Sequence, residues 1–134
     1  MTLLVDTSVW SLALRRDAAS DTSQVRALHA ALEGGELVVT TGLILQELLQ
    51  GFSGPRAREE IIRRFSALPL LAPDRPDHIE AAELRNRCRR AGVQIGTIDA
   101  LIARLCIRYR LTLLTTDNDF VRMAPHCPLR LWDA

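Results

Sequence analysis

Leu3-Leu4-Val5-Asp6-Thr7-Ser8 is a short apolar run that ends in one carboxylate and two hydroxyl residues. Residues 2 to 6 read as a buried strand, and Thr7 or Ser8 can cap a helix running on through Trp10, Leu12 and Leu14. An ionised carboxylate is costly to bury unless it is paired or bound to a metal. In open α/β sheets, ligands sit outside the carboxyl ends of the strands. Asp6 is therefore a candidate site residue, and the question is whether other acids converge on it.

Strands and helices alternate from here onward. Val25, Leu28, Ala31 and Leu32 recur at helical spacing between Asp21 and Glu33, and Gly34-Gly35 ends that helix. Leu37 to Thr40 reads as a second buried strand, and Thr41 opens a helix through Ile44, Leu45, Leu48 and Leu49 to Gly51. Gly54-Pro55 starts another helix, with Ile61, Ile62 and Phe65 as its apolar face. Leu68 to Leu71 reads as an edge strand, because Pro69 lacks the ladder donor a central strand needs. Helices are expected over Asp77 to Ala91, closed by Gly92, and from Thr97 to about Arg110, with Ile98, Leu101, Ile102, Leu105, Cys106 and Tyr109 on the buried side. Leu113 to Thr115 is the next strand, Asn118 to Met123 a short helix, and Leu129 to Trp132 the last strand. Such alternation implies a parallel sheet covered on both faces.

Composition limits the function classes. At 134 residues and 48% hydrophobic, the chain reads as one globular domain over residues 1–134, with a core of aliphatic side chains because aromatics make up only 4%. No apolar stretch approaches the roughly 18 residues that span a bilayer. The apolar run at the start is too short for a secretory signal and has no basic residues before it, so a cytoplasmic protein without membrane contact is expected. All 17 basic residues are Arg. The absence of Lys excludes P-loop, Schiff-base and kinase-like chemistry, and leaves Arg for phosphate recognition. Cys88, Cys106 and Cys127 form neither a disulfide framework nor a zinc cage, and His29, His78 and His126 are scattered.

Five carboxylates stand in unusual places. Asp6 ends the first strand, and Asp117 follows the strand Leu113 to Thr115, with Asp119 two residues beyond. In a parallel sheet those strand ends share one edge. Glu47 lies among Leu43, Ile44, Leu45, Leu48 and Leu49, and Asp99 occupies the first turn of the helix from Thr97. Each has a plainer explanation: capping for Asp117 and Asp119, an exposed helix former for Glu47, the helix dipole for Asp99. Together, acids gathered at one edge repel one another and raise some of their pKa values unless a cation intervenes. Oxygen ligands without His or Cys favour Mg²⁺ or Mn²⁺. Replacing one clustered acid by Asn is then expected to leave the metal-free protein as stable or more so, whereas loss of a capping acid lowers stability.

Val5-Asp6-Thr7-Ser8-Val9-Trp10, Gln46-Glu47-Leu48-Leu49-Gln50-Gly51, Gly96-Thr97-Ile98-Asp99-Ala100-Leu101-Ile102-Ala103 and Leu114-Thr115-Thr116-Asp117-Asn118-Asp119-Phe120 resemble, in order, the successive motifs of PIN-domain ribonucleases of the VapC toxin type. The resemblance runs over essentially the whole chain. It implies a three-layer α/β/α sandwich with a mainly parallel central sheet, Mg²⁺-dependent cleavage of RNA, a VapB-like antitoxin and homodimerisation. By motif position it makes Asp6, Glu47, Asp99 and Asp117 the acidic quartet and Asp119 an accessory ligand, with the hydroxyls of Thr7, Ser8 and Thr116 as supporting contacts. Arg110 departs from it, standing where such chains often turn with Gly. Arg85, Arg87, Arg89 and Arg90 crowd one helix end and are either a solvated face or an RNA-backbone contact. Trp10, Leu14 and Phe52 belong either to the core or to a partner surface. A nuclease without an antitoxin and a noncatalytic binding module are the rival readings; a small-molecule phosphotransferase is disfavoured because Ser8 stands where a DxD pair needs Asp.

Overall fold

A computed structural model describes residues 1–15 and 21–134. Among these, β1 (Leu3–Val5), β2 (Val38–Thr41), β3 (Leu70–Leu71), β4 (Thr112–Leu114) and β5 (Arg130–Leu131) form one sheet in the order β3-β2-β1-β4-β5. Every pairing is parallel. All residues of β1 and β2 are buried. A strand buried on both faces needs helices above and below it, which makes the molecule the expected α/β/α sandwich.

The helices are α1 (Thr7–Leu14), α2 (Ser23–Glu33), α3 (Gly42–Gly51), α4 (Pro55–Phe65), α5 (Arg75–Arg90), α6 (Thr97–Arg108) and α7 (Asn118–Met123). Helix α1 packs on α2 and α3, and α5 pairs extensively with α6. Trp10 of α1 lies in the core, its ring 4.9 Å from that of Phe65 in α4, while Leu14 and Phe52 are partly buried against the same core. The edge strand came out where Pro69 placed it, with the Pro69 carbonyl accepting from Thr40 N at 3.0 Å.

Three readings need correction. Helix α1 is capped by Asp6, whose side chain accepts from Ser8 N, and not by Thr7 or Ser8. Ile98 and Tyr109 are 41% and 40% exposed, so the buried stripe of α6 is narrower than its apolar residues suggest. Helix α5 starts at Arg75, two residues earlier than expected, because Asp74 and Asp77 form a reciprocal capping box ahead of the apolar pattern.

Helices α2, α5 and α6 end in the same way. The amide two residues past the cap returns to a carbonyl in the last turn: Glu36 to Ala31, Val93 to Cys88 and Leu111 to Cys106, at 3.0, 2.8 and 2.8 Å. This closure requires a left-handed residue between cap and returning amide. Gly35 and Gly92 supply it at φ 75° and 83°, and Arg110 supplies it at φ 54°. A side chain in that region carries a steric cost that glycine avoids. Arg110→Gly is expected to raise stability by about 0.5–1 kcal/mol, part of the relief being offset by the freer unfolded chain. Thermal unfolding should register this as a rise of about 3 °C.

Candidate functional site

The sheet order reverses at β1: the chain builds outward through β2 and β3, then crosses to β4 and β5 on the other side. Past the carboxyl ends of β1 and β4, the diverging connections leave a crevice, the position where ligands bind in open α/β sheets. Asp6 N donates to Leu114 O at 2.9 Å, so Asp6 extends the β1–β4 ladder by one bond before α1 begins. Asp117 lies past the end of β4 and caps α7, accepting from Asp119 N at 2.9 Å. Asp99 enters from the first turn of α6 and Glu47 from α3.

Asp6 is 5% exposed and firmly held. Its Oδ2 accepts from Ser8 Oγ at 2.8 Å, Thr115 Oγ1 at 2.9 Å and Ser8 N at 3.4 Å. The same hydroxyls accept in turn: Ser8 Oγ from Thr116 N and Thr115 Oγ1 from Asp117 N, both at 3.0 Å. One network thus ties Asp6 to the loop that carries Asp117, while Asp6 Oδ1 accepts no hydrogen bond among the described residues. Glu47 is on the exposed side of α3 and is fixed by Thr7 Oγ1, which donates to Glu47 Oε1 at 3.0 Å.

Carboxylate oxygens of Asp99, Asp117 and Asp119 all lie within 4.8 Å of one another. Asp99, half-buried, has no hydrogen-bond or ion-pair partner among the described residues. Burial, followed by the negative charges of Asp117, Asp6, Asp119 and Glu47, pushes its pKa up to about 6. The structure thus brings Asp99, Asp117 and Asp119 together, while Asp6 and Glu47 act on Asp99 through their charge.

The donor set fits a hard divalent ion. Asp99, Asp117 and Asp119 offer carboxylate oxygens alone, without His or Cys, which is the donor chemistry that Mg²⁺ or Mn²⁺ takes. No thiol adds a ligand: burial pushes the Cys106 thiol far up, with Asp6 adding to the effect, and burial also raises Cys88 and Cys127.

Two residues at the crevice escaped the sequence reading. Thr115, not the Thr116 hydroxyl, bonds Asp6; Thr116 takes part through its backbone amide. A β4 hydroxyl one residue past the strand and two before the Asp is the signal that could have found it. Arg122 pairs with Asp119 three residues back on α7. The four arginines of α5 do not face one way. Arg85, whose Nε donates to Ile95 O at 3.0 Å, lines a groove of about 230 Å³ with His78, Asn86 and Thr97, whereas Arg87 lines another with Glu80, Arg104 and Cys127.

Comparison with known proteins places this architecture. VapBC2 from Rickettsia felis, bound to a promoter DNA fragment, has a chain 23% identical that superposes with a TM-score of 0.74 over 99% of this chain and 100% of its own. VapBC-1 from nontypeable Haemophilus influenzae matches at 20% identity and a TM-score of 0.72, over 99% and 98% of the two chains. VapC20 of Mycobacterium tuberculosis, a Sarcin-Ricin loop cleaving toxin, matches at 21% identity and a TM-score of 0.69, over 96% and 98%. At these identities the likeness establishes a shared fold. The sequence itself matches the family model for the PIN domain over residues 3–125, nearly its whole length. The chain belongs to the PIN-domain family.

Proposed function

We propose that this protein is a Mg²⁺-dependent endoribonuclease that acts as the toxin of a toxin-antitoxin pair, with Mn²⁺ able to replace Mg²⁺. The observation that carries the reading is Asp99: a half-buried carboxylate without a cationic partner, facing four further acids at the switch point of a parallel sheet. Folding leaves such repulsion unrelieved at a cost in stability, which a bound cation offsets.

Asp6, Asp99 and Asp117 would hold the ion, directly or through water, with Asp119 as an accessory ligand. A divalent ion there supplies a hydroxide nucleophile at neutral pH and neutralises charge developing on the phosphate oxygens. Ser8 and Thr115 fix Asp6 Oδ2, leaving Oδ1 to face the crevice chemistry. Thr7 holds Glu47 in place to orient the attacking water or a second ion. In-line attack by water on the phosphodiester would then need no covalent enzyme intermediate.

RNA as substrate is supported by the likeness to VapC20, a Sarcin-Ricin loop cleaving toxin. A VapB-like antitoxin is supported by the Rickettsia and Haemophilus structures, both toxin-antitoxin complexes. Homodimerisation and a cytoplasmic location complete the proposal; no helix among the described residues is long and apolar enough to cross a membrane. Arg85 and Arg89, four residues apart on α5, would be the contacts to an RNA backbone.

The test is cleavage of ribosomal RNA by the purified chain, with the new ends mapped. Expected is Mg²⁺-dependent cleavage at discrete sites, stopped by chelation and reduced at least about 100-fold by Asp6→Asn or Asp117→Asn. Full Mg²⁺-dependent cleavage by either variant would refute the assignment. Copurification with the product of a neighbouring small reading frame, restoring RNA on mixing, separates a toxin from a nuclease without an antitoxin.

A further inference from the structure

The three clustered carboxylates are not equivalent. Among the described residues Asp99 has no hydrogen-bond or ion-pair partner, and Asp117 accepts only from the Asp119 backbone amide. Asp119 alone among them carries a side-chain cation: Arg122 Nη2 donates to Asp119 Oδ1. Both groups sit on α7, three residues apart, and both stay wet, with side-chain exposures of 59% for Arg122 and 36% for Asp119. An ion pair this exposed is weak and easily exchanged. Yet its carboxylate lies within 4.8 Å of the oxygens of Asp99 and Asp117. A guanidinium and a dication approaching the same carboxylate repel each other.

We propose that Arg122 is the built-in counter-ion of the acidic cluster: it holds Asp119 in the metal-free protein and competes with the divalent ion for that carboxylate. The proposal rests on the divalent-ion reading above and adds a residue that sets how readily the site loads. In the metal-free state Arg122 neutralises one of the crowded charges. A dication using Asp119 meets the repulsion of the guanidinium, whose long, exposed side chain lets it swing away without disturbing the core. Arg122 therefore weakens metal binding. An ordinary i,i+3 helix pair would leave metal affinity untouched and affect only the stability of α7.

Calorimetric titration of Mn²⁺ into the metal-free full chain distinguishes these roles, with melting temperature recorded in parallel. Arg122→Gln is expected to tighten the Mn²⁺ Kd by about three- to tenfold at low salt, with the gain shrinking as salt screens the charge. Arg122→Lys, which keeps the charge, should stay within about twofold of the wild type, and Asp119→Asn should remove most of the gain from Arg122→Gln. An Arg122→Gln protein that binds Mn²⁺ no more tightly than the wild type would overturn the proposal while leaving the divalent-ion reading intact. A wild-type protein that binds no Mn²⁺ would overturn both.

Discussion

Asp99→Asn is expected to abolish RNA cleavage and, in the same protein stripped of metal, to raise the melting temperature by about 7 °C. The stabilisation follows from removing a charge that burial first, and the neighbouring acids second, make costly. Asp99 has a pKa of about 6 in the folded chain against an ordinary 3.8, chiefly through burial and secondarily through Asp117, Asp6, Asp119 and Glu47. A raised carboxylate pKa means the folded state binds the proton more tightly than the unfolded state, so ionisation above pH 6 works against folding. The sign is fixed by this. Metal-free wild type should gain stability as the pH falls through 6 toward 3.8, and lose it again on the way up. The full shift corresponds to about 3 kcal/mol at pH 7, which solvent screening of a half-buried carboxylate reduces to about 2 kcal/mol, and an uncharged Asn escapes it. For a chain of this size that is about 7 °C in melting temperature. Thermal melts between pH 4 and pH 8 check both claims: the wild-type curve should slope across this window and the Asn curve should lose that slope. A lower melting temperature for Asp99→Asn at pH 7 would assign Asp99 a structural role.

Asp77→Ala is expected to do the opposite, lowering stability by about 3 kcal/mol, or about 10 °C, while leaving the crevice acids in place. Asp77 is fully buried between α5 and α6. It accepts from Arg104 Nε at 3.1 Å, Arg108 Nη1 at 2.6 Å and the Asp74 amide at 2.9 Å, and its own amide closes the capping box. Burial opposes its ionisation, but the bonds from Asp74, Arg104 and Arg108 outweigh it and hold its pKa below the usual value. Removing the carboxylate leaves Arg104 without that partner at a partly buried position and takes away the half of the capping box that the Asp74 amide makes with Asp77 Oδ2. The pH dependence is also opposite in sign to that of Asp99. The contribution of Asp77 is present above pH 3.8 and disappears only as the pH falls through its lowered pKa. Chemical denaturation at pH 7 measures the loss; a variant as stable as the wild type would show that the α5–α6 pairing does not depend on this clamp.

These two aspartates mark what the sequence could and could not disclose. The parallel sheet was legible because Leu3–Val5, Val38–Thr41 and Thr112–Leu114 are short apolar runs set between helices of clear periodicity. The acids were legible because each interrupts an apolar context or sits at a strand end. Asp77 was read only as the start of a helix, since its partners Arg104 and Arg108 lie 27 and 31 residues away and pairing at that range leaves no local pattern. Thr115 stayed hidden behind Thr116 for a related reason: two adjacent hydroxyls cannot be told apart until the backbone shows which one points back at Asp6.

The expectation that any clustered acid could be replaced at no cost also has to be divided by residue. Asp6 accepts three hydrogen bonds and caps α1, and Asp117 caps α7, so Asn at either position trades relief of repulsion against lost charge-assisted bonds. Capping and metal binding are not rival explanations at these positions, because one carboxylate oxygen can serve each. Only Asp99 has no second duty among the described residues, which is why its substitution separates the electrostatic cost from structural support.

The central claim is that these carboxylates gather to hold a divalent ion. Anomalous diffraction from crystals of the full chain soaked in Mn²⁺ tests it most directly. A peak bonded to Asp99 and Asp117, with Asp6 or Asp119 within direct or water-mediated reach, is the expected result. Crystals that diffract well, carry Mn²⁺ elsewhere and leave this crevice without a peak would contradict the account.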